Sequence, residues 1–168
     1  MNIELVHILI NKKYLTYEDY KVKCALGKRG IGAKKKEGDL ITPRGTYKIK
    51  GILYRRDKIK NLITKLRKKA INKKMVWCDD PKSKKYNQLV KLPFKFNFEK
   101  LYRNDDIYDI IFILSFNTNP IIKNKGSAIF IHIAKRNYSP TKGCVAIKKD
   151  DIKKLAREIN RKTIVKIL

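Results

Sequence analysis

The chain has 168 residues, 43% of them hydrophobic and 10% aromatic, which predicts one globular domain over residues 1–168 and excludes a disordered chain. No stretch approaches the ~18 consecutive apolar residues of a membrane span, so no spanning helix is predicted. The formal charge of +27 is extreme for this length, and such a field attracts anionic polymers, including nucleic acids.

The basic residues themselves form no compact nucleic-acid motif. Most are lysines spread along the whole chain beside many Ile and Asn residues, as an AT-rich coding sequence would produce. Aromatic residues that stack on single-stranded bases can be sought at Tyr47, Tyr54 and Tyr102, but these do not cluster with the basic residues. We therefore expect no nucleic-acid partner, and a basic nucleic-acid-binding module stays open as the alternative.

The first third of the chain alternates like β-structure. Residues 1–10 lack the basic start, long apolar run and cleavage site of a secretory signal, so either the numbering begins at a mature terminus or export uses no obvious leader. In chain order we predict a strand over residues 2–10, a turn at Asn11–Lys13, a strand over 20–26, a mobile basic loop over Gly27–Gly38, a turn over Thr42–Gly45 and a strand over Thr46–Tyr54.

The rest of the chain contains the two strands that the sequence predicts most strongly, both apolar enough to be central. Residues 57–71 predict a short helix, because apolar side chains recur at helical spacing at Ile59, Leu62, Ile63, Leu66 and Ala70. After it we predict a long ordered loop with short strands over 75–106, central strands over Tyr108–Phe116 and Ser127–Ala134, a short strand over Val145–Ile147, an amphipathic helix over Lys149–Asn160 and a strand over Thr163–Leu168. The predicted fold is mainly β, a mostly antiparallel β-sandwich or closed β-structure with a helix near the C-terminus.

Three cysteines and two histidines limit the chemistry. Cys24, Cys78 and Cys144 form neither a CxxC pair nor a metal-ligand cluster with His7 and His132, so no metal site is predicted. The odd count leaves at least one thiol free unless the chain dimerises through it. We expect Cys24 and Cys78 to be buried and give them no catalytic role.

His132 lies near the end of an apolar strand. If Ile129, Ile131 and Ile133 face one side of the sheet, His132 faces the other side beside Phe130. That side is either a packed face, on which a lone histidine is structural, or the wall of a site.

Gly143 and Cys144 follow a turn-forming run over Tyr138–Lys142. A glycine before a cysteine permits tight backbone geometry and lets N–H groups approach a developing oxyanion. The alternative is a buried, inert cysteine. A strand with a base, an irregular loop and then a thiol allow Cys144 and His132 to meet, and a hydrogen bond between them would promote the reactive thiolate.

These segments also resemble a known family. Gly126–His132 followed by Tyr138–Ile147 resembles the catalytic signature of L,D-transpeptidases of the YkuD-like type. Upstream, Glu37–Asp39 with Thr42–Tyr47 resembles another motif of that family, and Trp77–Pro81 with Tyr86-Asn87 resembles a divergent branch common in alphaproteobacteria. The resemblance spans roughly residues 20–155.

The resemblance implies a peptidoglycan crosslinking enzyme. Cys144 is then the nucleophile that forms a thioester with a stem peptide, His132 its base oriented by the carbonyl of Ile133, and the N–H groups of Gly143 and Cys144 the oxyanion donors, a contribution of ~3 kcal/mol. A second stem's diaminopimelate amine resolves the thioester. The implied protein is a periplasmic monomer without a cofactor.

The substrate-handling residues implied by the resemblance have structural alternatives. Arg44 is a clamp for a stem carboxylate, and Asp79 or Asp80 a partner for the acceptor ammonium. Alternatively, Trp77 fills the core and Asp79–Pro81 shapes a turn. The full set expected to handle substrate comprises Arg44, Trp77, Asp79, Tyr86, Asn87, Tyr138 and Thr141.

The chain departs from the better-known family pattern around Cys144. Lys142 stands where that pattern has His, Ala146 stands where it has Arg or Asn, and only eleven residues (133–143) separate His132 from Cys144. Members of the divergent branch are thought to use the first stem residue, L-alanine, as donor rather than the third. An L,D-carboxypeptidase or amidase, in which water resolves the same thioester, stays open beside transfer.

Overall fold

The computed structural model describes residues 7–168, and residues 2–6 of the predicted first strand lie outside this range. Within it the chain forms fourteen strands and one helix. The strands are β1 (His7–Asn11), β2 (Tyr14–Tyr17), β3 (Tyr20–Lys23), β4 (Ile31–Gly32), β5 (Thr42–Pro43), β6 (Gly45–Tyr54), β7 (Lys68–Ala70), β8 (Met75–Cys78), β9 (Leu89–Lys91), β10 (Phe98–Lys100), β11 (Ile110–Leu114), β12 (Phe130–Ile133), β13 (Val145–Ile147) and β14 (Ile164–Ile167), and the helix is α1 (Lys149–Glu158).

Nine strands form one large sheet whose two ends meet. Its order is β13-β12-β11-β6-β14-β1-β2-β3, with β7 paired to β6. Ala25, just after β3, bridges to Ala146 in β13 through backbone hydrogen bonds of 2.8 and 2.9 Å. This bridge joins the two edges, which would otherwise expose unpaired N–H and C=O groups. The sheet is therefore nearly closed.

The central strands are buried on both faces. On one face Phe112, Ile131 and Ile133 pack with the helix, and on the other Ile111 and Phe130 form a second hydrophobic cluster. The three-stranded sheet β10-β8-β9 contributes Met75 and Trp77 to that second cluster. A strand covered on both faces needs apolar residues at every position, which explains the uninterrupted run of β11.

The mainly β fold with one helix near the C-terminus is confirmed. The strands predicted over 108–116, 127–134 and 163–168 are present as β11, β12 and β14, shortened at their ends. Most pairings are antiparallel, but β1-β14, β12-β13, β4-β5 and β6-β7 are parallel. Parallel pairing requires a crossover between the strands, and alternation within one strand carries no sign of it.

The helix predicted over residues 57–71 is wrong. The segment consists of turns that end in β7, which pairs in parallel with Ile52–Tyr54 of β6. Ile59, Leu62 and Leu66 are buried as expected, yet Ile63 is 61% exposed. The Thr64 hydroxyl accepts the Leu66 N–H at 3.1 Å, a local bond that competes with helical hydrogen bonding.

The segment predicted as a mobile loop over residues 27–38 is tied to its surroundings. It contains β4, which pairs with β5. The Gly27 N–H donates to the Thr42 hydroxyl at 2.8 Å, and the Lys34 ammonium forms an ion pair with Asp39 at 2.6 Å. By contrast, residues 75–106 hold short strands within irregular backbone, as the sequence indicates.

The helix α1 follows β13 directly. Asp150 and Asp151 in its first turn complement the helix dipole, and it buries Ile152, Leu155 and Ala156 against the sheet. No helix within residues 7–168 has the length and apolar character needed to cross a bilayer.

The observed course of residues 57–71 predicts different costs for two neighbouring apolar truncations. Leu66→Ala should lower the free energy of unfolding by roughly 2–5 kcal/mol, because Leu66 is 7% exposed and its removal leaves a cavity. Ile63→Ala should change it by less than about 0.5 kcal/mol, because that side chain lies in solvent. Urea unfolding measures both, and equal large losses would favour the helix instead.

Candidate active site

His132 reaches the site from the central part of the sheet. Ile129, Ile131 and Ile133 pack in one hydrophobic cluster, while Phe130 belongs to the cluster on the opposite face. His132 shares the face of Phe130 because side chains alternate along a strand. Its ring packs edge-on against Tyr108 at a centroid distance of 5.2 Å.

Cys144 is placed by the parallel neighbour of that strand. In the β12-β13 register Ile131 pairs with Val145 and His132 with Ala146. Cys144 immediately precedes β13, so its backbone lies beside Phe130, whose N–H approaches the Cys144 sulfur at 3.4 Å. The two candidate reactive residues therefore stand on adjacent strands and on the same face.

The loop before Cys144 is held by Thr141 and Gly143. The Thr141 hydroxyl donates to the Cys144 carbonyl at 2.6 Å and accepts the Gly143 N–H at 3.1 Å. Gly143 has φ of +143°, and a Cβ at this position would lie 2.9 Å from the Ile41 carbonyl oxygen. Both the backbone angle and the close contact require glycine here.

The thiol of Cys144 is half-buried and protonated at rest. Its sulfur lies 3.1 Å from the Ala128 carbonyl oxygen, to which the S–H donates. Burial, followed by the nearby Glu99 carboxylate, raises the pKa of the Cys144 thiol to about 12, against the opposing effects of the Phe130 N–H and Lys34. A thiol with this pKa is almost entirely un-ionised at neutral pH.

The imidazole of His132 is buried and neutral. Burial lowers the pKa of His132 to about 4. Its Nδ1 lies 3.0 Å from the Ile133 carbonyl oxygen, the contact that the family resemblance implies. A carbonyl only accepts, so Nδ1 carries the proton and Nε2 is left free to act as a base.

Cys144 and His132 line one cavity of about 550 Å³. They form no hydrogen bond with each other, because the thiol donates to Ala128 instead. The expectation of a thiolate promoted by a resting Cys-His hydrogen bond is therefore not met in this arrangement. Proton transfer to Nε2 requires the thiol to leave the Ala128 carbonyl, after which both groups face the same cavity.

Three acidic side chains line the cavity together with basic ones, among them Arg103 and Lys142. The acidic side chains are Asp79, Glu37 and Glu99, and the buried Oδ1 of Asp79 has no hydrogen-bond partner within residues 7–168. Burial and the charge of Glu37 raise the pKa of Asp79, while burial and the charge of Asp79 raise the pKa of Glu99. Carboxylates crowded in this way favour a cationic partner.

Glu99 and Lys34 line the cavity but were not predicted from the sequence as site residues. Glu99 lies in β10, and its Oε1 accepts the Tyr108 hydroxyl. A single carboxylate among scattered lysines carries no recognisable pattern, and only the pairing of β10 with β8 brings it near Asp79. Asp80, in contrast, accepts backbone N–H groups of Lys82 and Asn97 and shapes a turn.

Trp77, Tyr86 and Asn87 do not line the cavity but support it. The Asn87 Oδ1 accepts both Trp77 Nε1–H and the Ala128 N–H at 3.0 Å. The Tyr86 hydroxyl accepts the Gly126 N–H at 2.9 Å and donates to Glu37. Together these contacts hold the backbone that leads into β12, including the carbonyl that contacts Cys144.

Arg44 and Tyr138 lie in a different place from the other expected substrate residues. Both line a second cleft, also of about 550 Å³, with Lys12, Lys23 and Lys28. The Lys23 ammonium lies 4.9 Å from the Tyr138 ring centroid. Pro140 lines both cavities, whereas Thr141 lines only the one that contains Cys144.

The other cysteines are buried, as the sequence predicts. Cys24 is 1% exposed and Cys78 0% exposed, and all three cysteines are free. Within residues 7–168, no three His, Cys, Asp or Glu side chains are grouped closely enough to hold a metal ion.

The neutral state of His132 predicts a specific loss of stability in acid. The folded pKa of about 4 lies below the unfolded value of 6.5, so the unfolded chain binds more protons between these values and the contribution is lost as pH falls. Relative to His132→Gln, the free energy of unfolding of the native protein should drop by about 3 kcal/mol from pH 7 to pH 4. Chemical unfolding at several pH values measures this, with the exposed His7→Gln as control. A difference that does not change with pH would contradict a buried neutral imidazole.

Comparison with known proteins yields a family match and a similar solved structure. The family model YkuD, L,D-transpeptidase catalytic domain, matches residues 5–167. Among solved structures the chain is similar to the helical cell shape determining protein Pgp2 (K307A mutant) from Campylobacter jejuni, with 23% identity and a TM-score of 0.45 over 99% of this chain and 47% of that one. The chain thus spans about half the length of that protein. No curated protein matches it. Because the family model covers nearly the whole chain, this protein belongs to the YkuD family of L,D-transpeptidase catalytic domains.

Proposed function

We propose that this protein is a peptidoglycan L,D-transpeptidase that works through a Cys144 thioester. The observation that carries the proposal is the shared cavity, in which a half-buried thiol and a histidine with an unprotonated Nε2 face the same space. Membership of a family of L,D-transpeptidase catalytic domains supplies the substrate class.

The proposed reaction begins with transfer of the Cys144 thiol proton to Nε2 of His132. The sulfur then adds to an amide carbonyl of the donor stem, and the Cys144 N–H, which has no hydrogen-bond partner within the described residues, donates to the oxyanion. The Gly143 N–H joins it once it leaves the Thr141 hydroxyl. Collapse of the intermediate expels an amine, which takes the proton from His132 and leaves a thioester.

The acceptor amine enters beside Asp79 and Glu99. Asp79 has an unpaired buried oxygen and lies close to Glu99, so a cationic amine relieves the repulsion between these carboxylates. The diaminopimelate ammonium of a second stem gives one proton to a carboxylate of Asp79 or Glu99, and the neutral amine attacks the thioester. His132 takes the second proton from the attacking nitrogen and passes it to the departing Cys144 sulfur, which completes the crosslink. The donor residue is L-alanine at position one or the residue at position three, and the location of the reaction is the periplasm. A single chain provides all of these groups, in keeping with a monomer.

Arg44 and Tyr138 bind substrate in the second cleft, away from the thioester. The lining of that cleft includes several cations and no Asp or Glu among the described residues. A stem carboxylate is the part of the substrate that such a cleft would bind, through a bidentate contact with Arg44.

Incubation with purified muropeptides tests the proposed reaction. The native protein should convert monomers into crosslinked dimers, and Cys144→Ala should abolish the conversion because no thioester forms. Cys78→Ala, at a fully buried position outside the cavity, is the matched control and should retain activity. Mass analysis of the dimers identifies the donor residue.

The same assay separates the alternatives. Shortened monomers without dimers indicate that water resolves the thioester, which makes the protein an L,D-carboxypeptidase or amidase. If the chain instead binds nucleic acid with an affinity that falls steeply with salt and is unaffected by Cys144→Ala, its charge of +27 is the functional feature.

Asp79→Asn tests the acceptor site. Removal of this charge should raise the KM for the acceptor amine roughly tenfold, because a charge-assisted hydrogen bond contributes about 1.5–3 kcal/mol. Formation of the thioester, followed by intact-protein mass spectrometry, should change little. The exposed Asp106→Asn makes the same change of charge away from the cavity and should leave both steps unaltered. An equal loss in both steps would contradict an acceptor role.

A further inference from the structure

Lys34 is an unusual cation in this chain because it is buried. Among the lysines and arginines of residues 7–168, only Lys34 and Arg55 are buried. The side chains of Lys34 and its partner Asp39 are 2% and 4% exposed. Burial of a charged group is costly unless its environment compensates, and the lysines of this chain otherwise reach solvent readily. The position of Lys34 therefore calls for a specific role.

The lysine occupies a space that two glycines leave open. A Cβ on Gly126 would lie 2.4 Å from Lys34 Cε, and a Cβ on Gly143 would lie 3.6 Å from Lys34 Nζ. Gly126 begins the segment that leads to His132, and Gly143 directly precedes Cys144. The ammonium group thus lies beside the backbone at which the proposed oxyanion develops, and Lys34 lines the same cavity as Cys144.

The hydrogen bonds of this ion pair leave one N–H group of the Lys34 ammonium without an acceptor among the described residues. Lys34 Nζ donates to Asp39 Oδ1 at 2.6 Å and to the Ile41 carbonyl at 3.4 Å, and an ammonium has three N–H groups. Asp39 also accepts the backbone N–H groups of Lys35, Lys36 and Ile41. Although burial opposes it, the Lys34 ammonium and these N–H groups lower the pKa of Asp39 to about 2. The Asp39 carboxylate accepts hydrogen bonds from four donors, so it does not occupy all three N–H groups of Lys34.

The backbone alone supplies few donors at rest. The Gly143 N–H is engaged by the Thr141 hydroxyl, and only the Cys144 N–H is free. Sites that stabilise an oxyanion hold preorganised donors that converge on the developing charge. A second donor beside Gly143 supplies such a contact before the Gly143 N–H leaves the Thr141 hydroxyl.

We propose that the Lys34 ammonium is this second donor: it stabilises the Cys144 thiolate, and then the oxyanion formed when that sulfur adds to a substrate carbonyl. The role toward the oxyanion rests on the proposed function, whereas the role toward the thiolate does not. Proton transfer from sulfur to His132 and addition to the carbonyl both place negative charge near Lys34, and both charges disappear when the thioester forms. The electrostatic effect of Lys34 on Cys144 favours the thiolate, in the direction that this role requires.

Alkylation of Cys144 by iodoacetamide as a function of pH tests the thiolate role without substrate. Lys34→Met keeps a side chain of similar length against Gly126 and removes the charge. It should slow alkylation at a fixed pH about tenfold, because the apparent pKa of the thiol rises by about one unit. Lys34→Arg should restore most of the rate. Peptide mapping assigns the label to Cys144, since the other two cysteines are buried.

Two further variants serve as controls for charge and for folding. Lys36→Met removes one charge from an exposed neighbour in the same loop and should leave the alkylation profile unchanged. Because Lys34→Met leaves Asp39 unpaired, the double variant Lys34→Met/Asp39→Asn removes both charges and supplies a folded comparison, checked by circular dichroism. Alkylation profiles that coincide with the native one in folded Lys34 variants would overturn the proposal.

Turnover then tests the oxyanion role. With muropeptide substrate, Lys34→Met should lower kcat by roughly 10–100-fold with KM changed less than about twofold, because the interaction exists only in the transition state. A loss confined to KM would overturn the oxyanion role. If the native protein shows no turnover, the proposed function fails, and the alkylation profiles still decide whether Lys34 acts on the thiol.

Discussion

Parallel pairing of β12 with β13 is the constraint on which the candidate active site depends. The register places His132 beside Ala146 and leaves Cys144 beside Phe130, so the side chains of both candidate catalytic residues project from the same face of the sheet. Parallel strands need a connection that returns to the same end of the sheet. In this chain the connection contains the loop held by Thr141, and β13 is secured on its other edge by the Ala25 bridge. The closure of the sheet therefore contributes directly to the position of Cys144, the candidate nucleophile.

The electrostatic state of the site contrasts with that of the chain. A protein with a formal charge of +27 keeps its candidate nucleophile and base uncharged at rest, because both are shielded from solvent. Charge must then be created during the reaction, where it is costly in a medium of low dielectric constant. In the proposed reaction, fixed groups that line the cavity or border it would meet that cost: Lys34 and the Cys144 N–H where negative charge develops, and Asp79 with Glu99 where an amine approaches. The surface lysines lie in water and contribute little, since exposed charges are screened.

Local patterns could be predicted from the sequence, whereas contacts between residues distant in sequence could not. The alternation around His132, the apolar run of β11 and the dipole-matched start of α1 all follow from local periodicity. The helix expected over residues 57–71 failed because Leu66 and Ile63 were assigned to one face from spacing alone, while pairing of β7 with β6 overrides that spacing. Glu99 reaches the cavity because β10 pairs with β8. Lys34 reaches it because Gly126 and Gly143, both distant from it in sequence, leave space for its side chain. Neither relation leaves a local signal.

The protonated state of Cys144 has a consequence for the durability of the protein. The thiolate is the form of cysteine that attacks peroxides and disulfides, and its first product with a peroxide is a sulfenic acid, which further oxidation makes irreversible. A sulfur held as S–H against the Ala128 carbonyl presents almost none of the susceptible anion. The same shielding that makes ionisation difficult therefore also slows oxidation of this sulfur.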